Sequence, residues 1–357
     1  MRFLFLEPFF GGSHRQFAEG LVTHSRHRID LLTLPARYWK WRMRGAALHF
    51  IRQIKTLTPY AGLITTNLMS LSDFKALAGP DCPPALVYFH ENQLTYPLGP
   101  GEHMDYHYGF TDITTGLAAE RILFNSRSHR EAFFASLPAF IGRMPEYKPL
   151  WVADALRVKA AVLHPGCDFE NRLLALDLPQ MDPPLIIWNH RWEFDKGPEK
   201  FFSALETVRA RGLDFKLALL GERFRRIPPA FEASRRRFAD AIVQYGYVVQ
   251  RKDYLDWLNR GAIVVSTARQ ENFGLAVVEA IRLGCLPLLP NRLSYPEILP
   301  PGYHADFLYH NEDDLAAKLS RLLDCYPSYA EQRKQLAAAM EGFAWESMIE
   351  PYDEELR

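Results

Sequence analysis

Apolar runs of strand length alternate with helical periodicity along nearly the whole chain. In the first half the strand-like runs are Arg2–Leu6, Ile29–Leu34, Leu63–Thr66, Ala85–Phe89, Arg121–Phe124 and Ala160–Leu163, with helical spacing over Arg15–Thr23 and Ala46–Leu57. The alternation stops at Leu178-Pro179-Gln180-Met181-Asp182-Pro183-Pro184, a stretch with three prolines and no period, which reads as a linker. It restarts with strands at Leu185–Trp188, Phe215–Leu220, Ile242–Tyr245, Ile263–Ser266 and Leu286–Leu289. Helical spacing covers Glu199–Ala210, Tyr254–Asn259, Leu275–Leu283 and Leu315–Leu323. Strand, helix, strand in this order implies parallel sheets with crossover helices. The pattern predicts an α/β protein of two Rossmann-like, doubly wound domains facing across a cleft: residues 1–177 and 185–328, joined by a linker at 178–184. A helical tail, 329–357, is expected to pack back on the first domain. In open parallel sheets ligands bind beyond the carboxyl ends of strands, and the polar motifs fall there.

Composition narrows the function classes. The chain has 357 residues, 48% hydrophobic and 24% charged, which excludes disorder and a fibrous fold. Lys+Arg and Asp+Glu are both 42, so the protein is not a globally basic nucleic-acid binder, although a local basic patch stays open. No run of about 18 apolar residues occurs, so no membrane span is expected. Glu7-Pro8 breaks the apolar start, which reads as a strand and not as a secretory signal. Cys82, Cys167, Cys285 and Cys325 are far apart and form no CxxC pair. That argues against a zinc ribbon or disulfide framework and predicts a reduced, cytoplasmic protein.

Three motifs carry candidate chemistry. Gly11-Gly12-Ser13-His14 lies between the first strand and first helix. Glycines there let backbone amides approach a ligand, and a helix start favours an anion; the alternative is a plain tight turn. The GxGxxG and GxxxxGK[ST] spacings are both absent. Asn189-His190-Arg191-Trp192-Glu193-Phe194-Asp195-Lys196-Gly197-Pro198 follows a strand and precedes a helix. It places Arg191 and Lys196 to neutralise a diphosphate, unless both are simply solvated. In Glu271-Asn272-Phe273-Gly274-Leu275-Ala276-Val277-Val278-Glu279, Glu279 sits one turn into an apolar helix. A carboxylate there needs a partner, and a ribose diol offers two donors. Gly274 frees the loop amides to face sugar or phosphate.

Arg191 with Lys196, followed by Glu271-x7-Glu279, resembles the retaining nucleotide-sugar glycosyltransferases of the GT-B fold. Longer words in the first half are more particular: Leu6-Glu7-Pro8-Phe9-Phe10-Gly11-Gly12-Ser13-His14, Leu34-Pro35-Ala36-Arg37-Tyr38-Trp39-Lys40-Trp41-Arg42 and Tyr88-Phe89-His90-Glu91-Asn92-Gln93-Leu94-Thr95-Tyr96-Pro97. With Trp188–Glu193 and Tyr295-Pro296-Glu297-Ile298, they resemble the tRNA-queuosine α-mannosyltransferase family along nearly the whole chain. The resemblance implies a hexosyltransferase that moves mannose from GDP-mannose to queuosine in a tRNA anticodon loop of the tRNA-Asp type. It implies catalytic roles for His90, Arg191, Lys196 and Glu271. Arg191 and Lys196 would hold the diphosphate, Glu271 and His90 the hexose, and Glu279 the ribose. Gly11, Gly12 and Ser13 would lie near sugar and phosphate, Asn272, Phe273, Gly274 and Leu275 beside the donor, and Gly221, Glu222 and Tyr247 at the base pocket. No metal or other cofactor is expected, since Arg191, Lys196 and a helix start can replace a cation.

The acceptor side has support of its own. From Met1 to Lys55 there are ten Lys/Arg against three Asp/Glu, an excess of seven. Within that stretch Arg37, Trp39, Lys40, Trp41, Arg42 and Arg44 interleave rings with cations, which suits a single-stranded or flipped base; the alternative is a helix start with a buried tryptophan pair. His14, Glu91, Asn92 and Gln93 complete the expected acceptor-binding set. Arg223-Phe224-Arg225-Arg226 and Arg235-Arg236-Arg237 either extend this track or are solvated. His103 and His107, with Glu102 and Asp105 beside them, lack a third metal ligand and read as loop histidines. Two competing functions remain: a GT-B enzyme with a lipid-linked or polysaccharide acceptor, and an inactive tRNA-binding protein. The intact Arg191, Lys196, Glu271 and Glu279 set argues against the second.

Overall fold

Two six-stranded sheets, parallel throughout, carry the fold of the computed structural model. The structure describes residues 1–99, 101, 103–169, 181–222 and 227–357, which divide into a unit of Met1–Asp168 with Phe343–Arg357 and a unit of Phe169–Gly342.

The first unit contains strands β1 (Arg2–Phe10), β2 (Arg28–Pro35), β3 (Gly62–Thr66), β4 (Ala85–Phe89), β5 (Arg121–Phe124) and β6 (Ala160–Val162) in the order β2-β1-β3-β4-β5-β6. Helices α1 (Gly12–His24), α2 (Trp39–Gln53), α3 (Leu71–Ala78), α4 (Tyr106–Ala118), α5 (Arg127–Gly142) and α6 (Val152–Arg157) connect them. The inner strands β3 and β4 are buried at every position, whereas the edge strands β2 and β6 are partly exposed, as expected when helices cover both faces of a parallel sheet. Period-2 alternation sorts the side chains: Leu4, Leu6, Val87 and Phe89 face one core with α2 to α6, and Phe3, Phe5, Leu86 and Tyr88 face another.

The second unit contains β7 (Leu185–Trp188), β8 (Lys216–Leu219), β9 (Ile242–Tyr245), β10 (Ile263–Val265), β11 (Leu286–Pro290) and β12 (Leu308–Tyr309), ordered β12-β11-β10-β7-β8-β9. Its helices are α7 (Pro198–Ala210), α8 (Pro229–Arg237), α9 (Arg251–Asn259), α10 (Leu275–Arg282), α11 (Tyr295–Ile298), α12 (His304–Phe307), α13 (Glu312–Asp324) and α14 (Ala330–Ala339). A last helix, α15 (Trp345–Glu355), belongs to the first unit. The second face of the first sheet explains it. Among the described residues α1 is the other helix there, and Trp345, Tyr352 and Leu356 complete its core. A Cβ on Gly20 or Gly166 would strike the Trp345 ring at 1.9 or 2.2 Å, so both positions must lack a side chain. Tyr352 donates to the carbonyls of Leu163 and His164 at 3.2 and 2.8 Å.

Several expectations shift. The tail predicted as one block, 329–357, divides at Gly342: α14 packs on α10 in the second unit, and residues from Phe343 onward join the first. Of the expected linker, only 181–184 lie within the described residues, and Arg223–Arg226 and Glu102 lie outside them. Helix α2 begins at Trp39, not Ala46, because Met43, Ala46, Ala47 and Phe50 form its buried stripe and the preceding rings lie on its exposed turn. His107 is not a loop histidine: it lies in the first turn of α4, which Asp105 caps by accepting from the His107 amide at 3.0 Å. Helices α3 to α6 and α8 escaped the periodicity altogether.

Candidate active site

Each sheet order reverses once, between β1 and β3 and between β7 and β10. Crevices at the carboxyl ends of such strand pairs are where doubly wound sheets bind ligands.

At the second unit's crevice, β7 ends at Trp188 and a short turn carries Arg191 and Lys196 to the start of α7. Gly197 has φ +62° and a Cβ there would meet the Thr267 carbonyl at 2.5 Å, so it holds the turn against the β10 end. Thr267 Oγ1 donates to the Lys196 and Gly197 carbonyls, both at 2.9 Å. Lys196 is buried; its Nζ donates to the Gln270 carbonyl at 2.7 Å and lies 3.4 Å from both Glu271 Oε2 and Asp195 Oδ2. Burial alone would raise the Glu271 carboxyl, but Lys196, then His190 and Arg191, hold it below the usual range. Arg191 is about half exposed, 46%, and pairs with Glu193 at 3.2 Å. His190 is buried, and burial followed by the Lys196 charge pushes it down to about 4. One cation is thus fixed and the other reaches solvent.

Glu279 lies in α10 as expected, and its protein partners include Arg251 at 2.6 Å and the Tyr254 hydroxyl at 3.3 Å. Tyr254 accepts in turn from Asn189 Nδ2 at 3.1 Å, and the same amide donates to the Ala276 carbonyl at 2.7 Å. Arg251, Tyr254 and Asn189 were missed as site residues, although the i,i+3 spacing of Arg251 and Tyr254 puts both on one helix face. Gly274, at φ +105°, caps α10 without a side-chain bond, and no acidic residue lies in the helix's first turn, so Leu275 opens an uncapped helix start. Ser294 braces this loop by donating to the Phe273 carbonyl at 2.7 Å, while Asn272 accepts from Gln270 at 2.8 Å. Gly221 serves packing: a Cβ there would meet the His190 carbonyl at 1.7 Å, and the Glu222 carbonyl accepts from the Trp192 amide at 2.9 Å. Tyr247 is exposed and lines an open cavity of about 430 Å³ with Gln244, Asp253 and Trp257.

At the first unit's crevice, the chain passes from Phe10 through Gly11 into α1, which Gly12 opens at φ +52° and Ser13 continues. A Cβ on Gly11 would meet Ala36 Cβ at 2.4 Å. Glu7 is fully buried; its Oε1 accepts from the Phe9 amide at 2.8 Å and the Thr66 hydroxyl at 3.3 Å and meets His14 Nδ1 at 3.3 Å. The His14 ring stacks on His90, centroids 3.9 Å apart. Burial would lower His14, but Glu7 and then Glu91 outweigh it and push it up to about 10. Among the described residues, Glu7, His14 and His90 are the group of ligating side chains close enough to share an ion, yet Glu7 Oε1 and His14 Nδ1 are already engaged with each other. Asn92 folds its own loop, accepting from the Leu94 and Thr95 amides at 3.0 and 2.9 Å, and the Gln93 amide donates to Asp112 at 2.6 Å.

The basic–aromatic block surrounds the start of α2. Trp41 is 77% exposed and Tyr38 71%, so the buried-pair alternative fails at Trp41. Trp39 packs on Tyr108 with centroids 5.2 Å apart, and Lys40 lies over both rings. Arg37 is exposed, while Arg42 and Arg44 donate to the Pro35 and His107 carbonyls at 3.3 and 3.1 Å. Arg235 sits over Tyr245 at 5.1 Å and Arg237 pairs with Glu206, so both interact within their own unit.

Residues 2–167 match the family described as tRNA-queuosine alpha-mannosyltransferase N-terminal, and residues 177–340 match glycosyl transferases group 1. The chain is 35% identical over 343 residues to the tRNA-queuosine alpha-mannosyltransferase of Drosophila melanogaster, covering 93% of this chain and 89% of that one. The chain belongs to the tRNA-queuosine alpha-mannosyltransferase family. Its fold is similar to sucrose-phosphate synthase from Thermosynechococcus elongatus, with a TM-score of 0.78 at 15% identity, over 99% of this chain and 98% of the other. Anabaena HepE, solved with UDP and glucose, gives 0.70 at 14% identity over 100% and 99%. The enzyme is therefore a hexosyltransferase of the two-domain GT-B fold. No helix among its described residues is long and apolar enough to cross a membrane.

Proposed function

We propose that the enzyme transfers mannose from GDP-mannose to queuosine in a tRNA anticodon loop, with retention at the anomeric carbon and without a metal or other cofactor. One observation carries this reading. The likeness to the queuosine transferases runs through the first unit, residues 2–167, the part expected to recognise the acceptor, as well as through the donor-binding unit common to group 1 transferases.

The chemistry follows from the groups present. An acceptor hydroxyl oxygen forms a bond to C1 while the C1–O bond to GDP breaks. The electron pair goes to the diphosphate, and the acceptor proton goes to the departing phosphate oxygen on the same face. Charge on the diphosphate grows toward the transition state, so preorganised cations act most strongly there. Lys196, fixed by Gln270 and Glu271, is that kind of cation, and Arg191 has the reach to join it. The α10 start at Gly274-Leu275 adds uncapped amides. Glu271 and His90 take hexose hydroxyls, Glu279 takes the ribose, and Tyr247 lies toward the base. Trp41 offers a stacking face, with Arg37, Lys40, Arg42 and Arg44 for phosphates. Cys82, Cys285 and Cys325 are free thiols, which suits a reducing compartment.

The test is mass spectrometry of tRNA nucleosides after incubation with GDP-mannose, UDP-glucose or UDP-galactose, using tRNA with and without queuosine. The expected result is one hexose added to queuosine with GDP-mannose alone. No addition, or addition regardless of queuosine, contradicts the reading.

A further inference from the structure

Behind His90 lies a buried charged pair that the reaction described above does not use. Glu7 interrupts an otherwise apolar strand and is 0% exposed; His14, in the first turn of α1, is 4% exposed. Their contact is 3.3 Å, and Thr66 and the Phe9 amide fix the carboxylate from two further directions. Glu7 Oε2 finds no hydrogen-bond partner among the described residues. A carboxylate buried this deeply is costly without a counter-charge, and His14 supplies it. On its other side the His14 ring lies against His90 at 3.9 Å and a 30° interplanar angle, and Phe17 meets His90 edge-on at 5.1 Å. Asn125 Nδ2 donates to the His90 carbonyl at 2.8 Å and Asn125 Oδ1 pairs with His129 Nδ1 at 2.8 Å.

The geometry points to Glu7 and His14 as positioning residues: a buried ion pair whose cationic ring stacks on His90, fixing that imidazole in place and keeping it uncharged. This rests on the reading of His90 as a residue that meets the transferred sugar. Two stacked rings cannot both carry a full charge cheaply, so a cation held on His14 by Glu7 leaves His90 neutral and able to accept a hydrogen bond from a hydroxyl. The charged and titratable groups around the stack are Glu7 on β1, Tyr88 on β4, whose ring lies 4.8 Å from His90, Glu91 after β4, His129 on α5 and, beyond Glu91, Asp112 on α4. Burial, then His14 and His129, push His90 well below its ordinary range. Glu7 and Glu91 act the other way on His14.

The test compares wild type, Glu7→Gln and His90→Ala. Nitrogen NMR of histidine-labelled enzyme at pH 8 should show one imidazolium among the 12 histidines of the chain, lost in Glu7→Gln. Displacing a reacting group by about 1 Å costs on the order of 10²-fold in rate. Glu7→Gln is therefore expected to lower kcat by about that factor, with little change in donor KM, and to move the acid limb of the pH profile upward. A wild-type kcat and unchanged acid limb in Glu7→Gln, with His90→Ala slow, overturns the positioning role alone. A fast His90→Ala enzyme overturns the reading of His90 itself. Should Glu7→Gln not fold, the wild-type spectrum decides, and the absence of a charged ring at pH 8 overturns the proposal.

Discussion

At the β7/β10 crevice the buried cation, Lys196, sits among three carboxylates, Asp195, Glu271 and, through Arg191, Glu193, with Arg191 half exposed beside it. At the β1/β3 crevice the buried cation is a ring, His14, paired with Glu7 and sealed under a second imidazole. The topology is shared and the electrostatics are not. A buried lysine beside a half-exposed arginine suits a diphosphate whose charge grows during bond breaking. A stacked, water-excluded pair suits fixing the shape and charge of a neighbour. Two similar folds thus differ in what stands beside the buried cation: a solvent-reaching Arg191 at one crevice and a stacked neutral ring at the other.

The largest effect that tests this division is at Lys196. Replacing it with Ala should lower turnover by on the order of 10²–10³, and it should also destabilise the second unit by about 3–5 kcal/mol because the buried Asp195 and the part-buried Glu271 lose the cation they share. Arg191→Ala sharpens the contrast. It should lose turnover on a similar scale while its melting temperature holds, since exposed ion pairs contribute only about 0–1 kcal/mol. A rate loss that simply follows unfolding in both variants removes the distinction between fixed and reaching cations. Next in size is Glu279→Ala. Loss of a charged hydrogen-bond group, worth about 1.5–3 kcal/mol, should weaken GDP-mannose binding by calorimetry, and unchanged affinity removes its ribose role. Trp41→Ala should weaken tRNA binding by about 1–3 kcal/mol, as for a stacked base, and leave donor hydrolysis and stability unaltered because the ring is exposed. An equal loss of donor hydrolysis points to a packing role.

A separate effect is on stability against pH. Burial holds His129 at about 3 and His190 at about 4, against 6.5 unfolded. Below about 6.5 these two rings bind protons only in the unfolded chain, so stability falls as pH drops toward 4; Asp112, which burial raises to about 8, opposes this with one proton against two. Thermal melts from pH 7 to pH 5 should show this; a melting temperature that rises on acidification contradicts it.

Much of the fold was legible because its core strands are nearly continuous apolar runs, and Ala85–Phe89 and Leu185–Trp188 cannot be anything but buried. Helix α5 was not, since its pattern is blurred by Pro138 and by His129, a polar residue turned inward to meet Asn125. On the site, Arg191, Lys196, Glu271 and Glu279 stood out by charge and spacing. Glu7 did not, although a carboxylate inside an apolar strand is itself a signal; its partner lies seven residues on, across a turn whose path depends on Gly11. Arg251 and Tyr254 were hidden for a different reason: they reach Glu279 only once α9 packs on α10.

The central claim is that side-chain cations of the second unit, and no divalent ion, stabilise the departing diphosphate. Single-turnover transfer from GDP-mannose to queuosine-containing tRNA tests it most directly, for wild type and Arg191→Ala, each with and without excess chelator. The account predicts a wild-type rate untouched by chelator and an Arg191→Ala rate lower by at least about 10² with normal tRNA binding. A wild-type rate abolished by chelator, or an Arg191→Ala rate equal to wild type, contradicts it.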